Sequence, residues 1–165
     1  MSKPCRQPHC KLCPLMSGKE EITNVKNKRF KTGLGNCKSK NCIYAASCKL
    51  CGKPYVGKST QAENRRVSGH RTDMKKYANN PQSAQNNDEG TDKDRYLQAI
   101  HLDRDHGIRS VQGLDEYYEF TILEKCTPKS IDLKEHTWIQ RMKSLTPFGL
   151  NLSSPLGFLL VNISQ

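Results

Sequence analysis

The sequence predicts a small α+β protein: a three-stranded antiparallel sheet flanked by helices, preceded by a cysteine-rich extension held by metal. Three observations carry that expectation. Two short apolar runs, residues 43–46 and 54–57, flank a tight Cys48-Lys49-Leu50-Cys51-Gly52 turn, which is the pattern of a hairpin. Residues 117–125, Tyr-Tyr-Glu-Phe-Thr-Ile-Leu-Glu-Lys, are the best strand in the chain by aromatic and β-branched content and supply the third strand. Helical patterns at 60–77, 93–103 and 130–144 are interspersed with these strands. With 165 residues, 35% of them hydrophobic, one modest core fits and two large domains do not.

The extension comes first. Cys5-x4-Cys10-x2-Cys13 opens it and Cys37 lies just ahead of the first strand. Four thiolates at such spacing suit a tetrahedral structural zinc, with His9 an alternative ligand that spacing leaves open. Residues 20–32 are rich in Lys and Asn and too poor in apolar side chains to form a core of their own, so a metal would substitute for it. The competing reading is a flexible basic leader with incidental cysteines. No stretch approaches the roughly 20 apolar residues that span a bilayer, and no signal h-region opens the chain. An intracellular location is expected, where eight cysteines serve metals before disulfides. The formal charge of +11 favours a polyanionic partner, nucleic acid before membrane.

The two arms of the hairpin each carry a tyrosine, Tyr44 and Tyr55. The helix at 60–77, with Ser59 or Thr60 as its cap, places Arg66 and His70 on one face, four residues apart. It also carries Arg65, Arg71, Lys75 and Lys76, a nucleic-acid-binding surface or an ordinary solvated face. Residues 79–94 lack periodicity and read as a mobile loop. The helix at 93–103 has Tyr96, Leu97 and Ile100 as its buried stripe and delivers His101 and His106, a pair that on its own also suits plain surface residues. Cys126 ends the third strand as a small buried hydrophobe without ligand duty. In the last helix Ile131, Trp138, Met142 and Leu145 form one stripe with Glu135 in its middle. A carboxylate facing a core is costly unless paired, hydrogen-bonded or bound to metal, so a structural ion pair and a metal-binding glutamate are the two readings. Beyond residue 152 the tail at 153–165 leans apolar, and Leu159, Leu160 and Val161 offer packing or an edge strand.

Ile43-Tyr44, Tyr55-Val56-Gly57 and Arg66-x3-His70 together resemble the GIY-YIG nuclease family, with Cys42 where the first signature has glycine. The cysteine pair between the two signatures narrows the resemblance to the endonuclease domain of Penelope-like retroelements. It runs from residue 5 to residue 151, because residues 134–139 resemble the glutamate helix of those enzymes and Pro147-Phe148-Gly149-Leu150-Asn151 their Pro-x-Gly-Leu-Asn ending. The resemblance implies a zinc-binding module at 1–41, a GIY-YIG nuclease domain at 42–152 and a tail at 153–165. It implies a second structural zinc on Cys48, Cys51, His101 and His106, making two per chain.

For the chemistry, the resemblance implies one catalytic Mg2+ or Mn2+ held by Glu135 and the phosphate, Arg66 stabilising the transition state and Asn151 as an active-site amide. Tyr44 is the leading candidate for general base and Tyr55 stands close behind. An unperturbed phenol titrates near pH 10, so a cation must acidify it, and Lys58 is placed to supply one. His70 positions water or relays the proton, and Arg65 is the substitute for Arg66. The expected partners are DNA and a reverse transcriptase in the same parent polyprotein, in the nucleus, with no membrane. Two rivals are a non-catalytic zinc-bearing nucleic-acid-binding module and a standalone GIY-YIG repair or homing nuclease.

Overall fold

The computed structural model describes residues 2–84 and 93–156. Two small sheets form in the extension: β1 (Ser2–Lys3) pairs in parallel with β4 (Gly35–Asn36), and β2 (Glu21–Thr23) pairs antiparallel with β3 (Arg29–Lys31). The main sheet follows from β5 (Cys42–Cys48), β6 (Pro54–Ser59) and β7 (Tyr118–Lys125), antiparallel throughout in the order β6-β5-β7. Among the described residues four α-helices accompany it: α1 (Glu63–Asn79), α2 (Leu97–His106), α3 (Gly113–Tyr117) and α4 (Ile131–Met142). The α+β class and the three-stranded antiparallel sheet expected from the sequence are present.

The central strand is buried on both faces, which is why its sequence is a continuous run of small and apolar residues with no polar alternation. Tyr44, Ala46 and Cys48 pack on one side with Phe120, Val67, Met74 and Leu102, under α1 and α2. Ile43 and Ala45 pack on the other with Leu123, Trp138, Ile139 and Met142, under α4. The extension contributes to both sides. Leu12 and Leu15 join the first cluster, while Ile22 and Phe30 join the second, Phe30 meeting the Trp138 ring at 6.0 Å. Residues 20–32 therefore share the core of the sheet; metal is not their only substitute for a core.

Both edges of the sheet are partly covered. On β7, the Ser17 N–H donates to Phe120 O at 2.9 Å, Gly33 N–H to Ile122 O at 3.0 Å, and Ile122 N–H to Ser2 Oγ at 2.9 Å. On β6, Leu150 N–H donates to Pro54 O at 2.9 Å. An uncovered row of strand amides is a template for association, and these contacts occupy the middle of the β7 row and the start of the β6 row.

Several boundaries differ from the sequence expectation. Ser59 does not cap α1, because it is the last residue of β6, paired with Cys42, and its hydroxyl donates to Gln61 O at 2.7 Å. The helix begins at Glu63, and its first amides are taken by the extension: Glu63 N–H donates to Ser39 O at 3.0 Å and Asn64 N–H to Cys37 O at 2.9 Å. A 3-10 turn at Lys93–Tyr96 precedes α2, which runs on to His106 and stops at Gly107, left-handed at φ 65°. Helix α3 takes Tyr117 from the expected strand. The loop expected at 79–94 begins instead as the last residue of α1 and a 3-10 turn at Pro81–Ala84; its centre, 85–92, lies outside the described residues, as do Leu159, Leu160 and Val161.

Candidate active site and metal clusters

The hairpin places Tyr44 opposite Gly57, and that pairing explains the glycine. A Cβ at Gly57 would stand 2.6 Å from the Tyr44 hydroxyl and 2.8 Å from Cε1 of Tyr55, so both phenols close over bare backbone. Arg66 and His70, one turn apart on α1, converge on the Tyr44 hydroxyl, with Arg66 Nε donating at 3.2 Å and His70 Nε2 accepting at 2.6 Å. An arginine can only donate, so the Tyr44 oxygen accepts from Arg66 and directs its own proton at Nε2 of a neutral imidazole. Burial, assisted by the Arg66 charge, pushes His70 down to about 3, which keeps the ring neutral.

Tyr44 is fully enclosed, at 0% exposure. Tyr55 instead lines a cavity of about 220 Å³ together with Lys58, Glu135, Asn151 and Ser153. Burial raises both phenols above their ordinary range and outweighs Arg66, which pulls both down. The expected acidifying cation is thus not Lys58. Its ammonium is held by Asp132 and, at 3.1 Å, by Glu135. Glu135 accordingly has the structural ion pair that was one of its two readings, and it also faces the cavity. Burial raises its carboxyl, against the pull of Lys58 and, more weakly, Arg66.

Asn151 lines the same cavity with its amide already engaged. Its Oδ1 accepts from Val56 N–H at 2.8 Å and its Nδ2 donates to Val56 O at 2.8 Å, so the side chain clasps the β6 edge. The sharp return that brings it there requires Gly149, where a Cβ would stand 2.3 Å from Ser144 O. Asn151 positions the strand that carries Tyr55 and Lys58.

Sequence reasoning missed Glu63. Its side chain is wholly buried, Cys42 Sγ donates to its Oε2 at 3.4 Å, and Oε1 has no hydrogen-bond partner among the described residues. Burial raises this carboxyl to about 7, partly offset by the Cys42 hydrogen bond and Arg66. An acid in the first turn of a helix ordinarily complements the dipole from the surface, so its position gives no warning. The available signal was Cys42, a thiol where the resembled signature has glycine.

Six of the eight cysteines gather into two tetrads, the second completed by two histidines. The sulfurs of Cys5, Cys10, Cys13 and Cys37 lie within 4.8 Å of one another, and so do the donor atoms of Cys48, Cys51, His101 and His106. The Cys5–Cys13 and Cys13–Cys37 sulfurs are each 3.5 Å apart, close to the roughly 3.8 Å separating thiolates that sit 2.3 Å from a tetrahedral ion. In the second tetrad His101 Nδ1 lies 2.8 Å from Asp105, which is held in turn by Lys53 at 3.0 Å. That leaves Nε2 directed at Cys51 Sγ, 3.3 Å away, the outer-shell arrangement of a ligating histidine. Both sets can hold a metal ion. His9, the alternative ligand, is exposed and outside the first set, and Cys126 is half-buried and donates to Asn41 O at 3.2 Å.

Among the expected nucleic-acid-binding residues, Arg65, Lys75 and Lys76 are exposed. Arg71 is a structural tie, bound to Asp115 at 2.6 Å and to Lys11 O at 2.6 Å. No helix among the described residues is long and apolar enough to cross a membrane. Comparison with family models, with curated proteins and with solved structures finds no match to this chain.

Proposed function

We propose that the chain is a metal-dependent DNA endonuclease of the GIY-YIG type, resembling the endonuclease domain of Penelope-like retroelements. The observation that carries this reading is the meeting of Tyr55, Lys58 and Glu135 at one cavity, with Arg66 acting on Tyr55 and Tyr44 alike. Hydrolysis of a phosphodiester needs an activated water, neutralisation of the charge that gathers on phosphate, and help for the leaving oxygen. Arg66 provides positive charge anchored on the Tyr44 hydroxyl at 3.2 Å and near enough to Tyr55 to pull its phenol down. Tyr55 is the phenol with access to the cavity. Protonated in the free protein, it is set to donate to a phosphate oxygen, and it acts as base only once further positive charge lowers its pKa. Tyr44 and His70 orient Arg66 from behind.

Glu135 would hold Mg2+ or Mn2+, and the ion would supply Lewis acidity and charge neutralisation at the phosphate. For that, Glu135 must release Lys58. The ammonium already has a second partner in Asp132, so the exchange leaves no bare charge. The two tetrads are read as structural zinc sites, since protein fills all four positions of each. As in the resembled elements, the expected setting is target-site cutting in the nucleus beside a reverse transcriptase of the same polyprotein.

The test is incubation of supercoiled plasmid with protein and Mg2+ or Mn2+. The wild type is expected to nick or linearise it, and Glu135→Gln to lower the rate by about 10²–10³-fold. Undiminished cutting by the variant removes Glu135 from the chemistry. If neither protein cuts, the second reading stands, a non-catalytic zinc-bearing nucleic-acid binder, for which the Lys58–Glu135 ion pair is the specific support. A parent reading frame without reverse-transcriptase motifs would favour a standalone repair or homing nuclease.

A further inference from the structure

A depression of about 450 Å³ runs between the N-terminal cysteine turn and the first half of α1. Its walls carry His9 and Lys11 from one side and Asn64, Arg65, Ser68 and Arg71 from the other, and among the described residues no carboxylate lines it. We propose that this groove is a phosphate-binding track that grips the backbone of the nucleic acid next to the reacting strand. The assignment rests on the reading of the chain as acting on nucleic acid, and adds a binding surface made by the N-terminal tetrad.

The walls are built and fixed in relation to one another. Lys11 lies between Cys10 and Cys13, two members of the first tetrad. Asn64 N–H is anchored on the carbonyl of Cys37, a third member, at 2.9 Å. Arg71 closes the far end by donating to Lys11 O at 2.6 Å, with Asp115 neutralising its charge. Lys11 and Arg65 are exposed and have no ion-pair partner among the described residues, so their charges remain available to a ligand. Sequence-independent gripping of a nucleic acid uses Lys and Arg with Ser and Asn side chains on phosphate oxygens, and this groove presents that set. Arg65 immediately precedes Arg66, so the track lies on the helical turn that carries the guanidinium of the candidate active site. An acidic peptide is the other polyanion such a surface accepts, but the net charge of +11 and the adjacent Arg66–tyrosine site favour nucleic acid.

The experiment is fluorescence anisotropy of a labelled DNA duplex of arbitrary sequence, titrated with full-length protein at several KCl concentrations without added divalent cation. Lys11→Ala/Arg65→Ala is expected to weaken binding and to lower the slope of log affinity against log salt by about 2, at roughly 0.9 for each phosphate no longer neutralised. Lys28→Ala/Lys31→Ala, in and beside β3, should keep the wild-type slope. Lys11→Arg/Arg65→Lys should restore it, which separates lost charge from lost folding. A double alanine variant with the wild-type slope overturns the groove, whether or not the protein cuts plasmid. An acidic peptide that competes with duplex on the wild type and binds the double variant poorly, with the duplex slope unchanged, would assign the groove to a protein partner and also overturn it. Loss of slope in a protein that never cuts DNA would uphold the groove and remove the nuclease reading.

Discussion

The two tetrads have equal ligand numbers and unequal dependants. The first draws four thiols from residues 5–37, with Cys37 wholly buried, and the carbonyl of that same cysteine receives an amide at the start of α1. The second joins the β5–β6 tip to the C-terminal half of α2, with Cys51 exposed and an Asp105–Lys53 pair behind His101. The helix attached to the first carries Arg66 and His70; the helix attached to the second carries no residue of the phenol cluster. The first tetrad is therefore tied to the helix that carries Arg66 and His70, while the second joins elements that already pack through Tyr118 and Leu102, its helix reaching the Tyr55 cavity through Leu97.

The largest expected effect tests that asymmetry directly. Cys37→Ala should cost several kcal/mol of stability and abolish cutting, whereas Cys51→Ala should cost less and retain measurable activity. Thermal unfolding and plasmid assays measure the two, and equal losses would break the comparison. Elemental analysis should give two zinc ions per wild-type chain and one for Cys51→Ala; a wild-type content of one ion would eliminate a tetrad.

Next comes Glu63, in the first turn of the helix that the first tetrad anchors. Its carboxyl shifts from 4.5 to about 7 on folding, so between those values the folded protein holds a proton that the unfolded chain has lost. Stability falls as pH rises through that window, and the penalty is complete above about pH 7. Glu63→Gln should therefore stabilise the protein at pH 8 by up to about 3 kcal/mol, at 1.36 kcal/mol per unit, and by little at pH 4. His70 has the opposite sign. Its folded value of about 3 against 6.5 means that stability is lost as pH falls below 6.5, so the two groups oppose one another between 4.5 and 6.5. Denaturant midpoints should fall more steeply toward acid over that interval in Glu63→Gln than in the wild type.

The smallest effects come from the two tyrosines that tie the sheet to its helices. Tyr44→Phe leaves Arg66 and His70 without their buried hydroxyl and should cost about 1–3 kcal/mol. Tyr118→Phe removes a single bond to Gln98 O at 3.0 Å and should cost about 1 kcal/mol. Chemical denaturation that reversed this order would show α2, not α1, to be the more tightly coupled helix.

Strands and helices were legible because local pattern encodes them: residues 43–46 and 118–125 announce pleated segments, and Cys10-x2-Cys13 and Cys48-x2-Cys51 are neighbours in sequence as well as in space, whereas His101 and His106 join the second tetrad only through the family resemblance. What escaped depends on partners far along the chain. Asn151 clasps Val56, 95 residues away, a partner that no local spacing announces. The sequence reading ranks Tyr44 ahead of Tyr55 as general base, yet the sheet encloses Tyr44 and opens Tyr55 to the cavity. Lys58 follows the tyrosine signature directly, but strand geometry turns it toward Asp132 and Glu135 on α4.

The extension's hold on β7 bears on how this protein can be trimmed for study. A fragment starting at residue 42 would lose the partners of Phe120 O and Ile122, the leucines beneath α1 and the aromatic ring against Trp138. Such a truncation would gain a sticky seam along one flank and a hollow on each side of the sheet. It should therefore precipitate or self-pair during purification, although every residue of the tyrosine hairpin and its arginine would still be there.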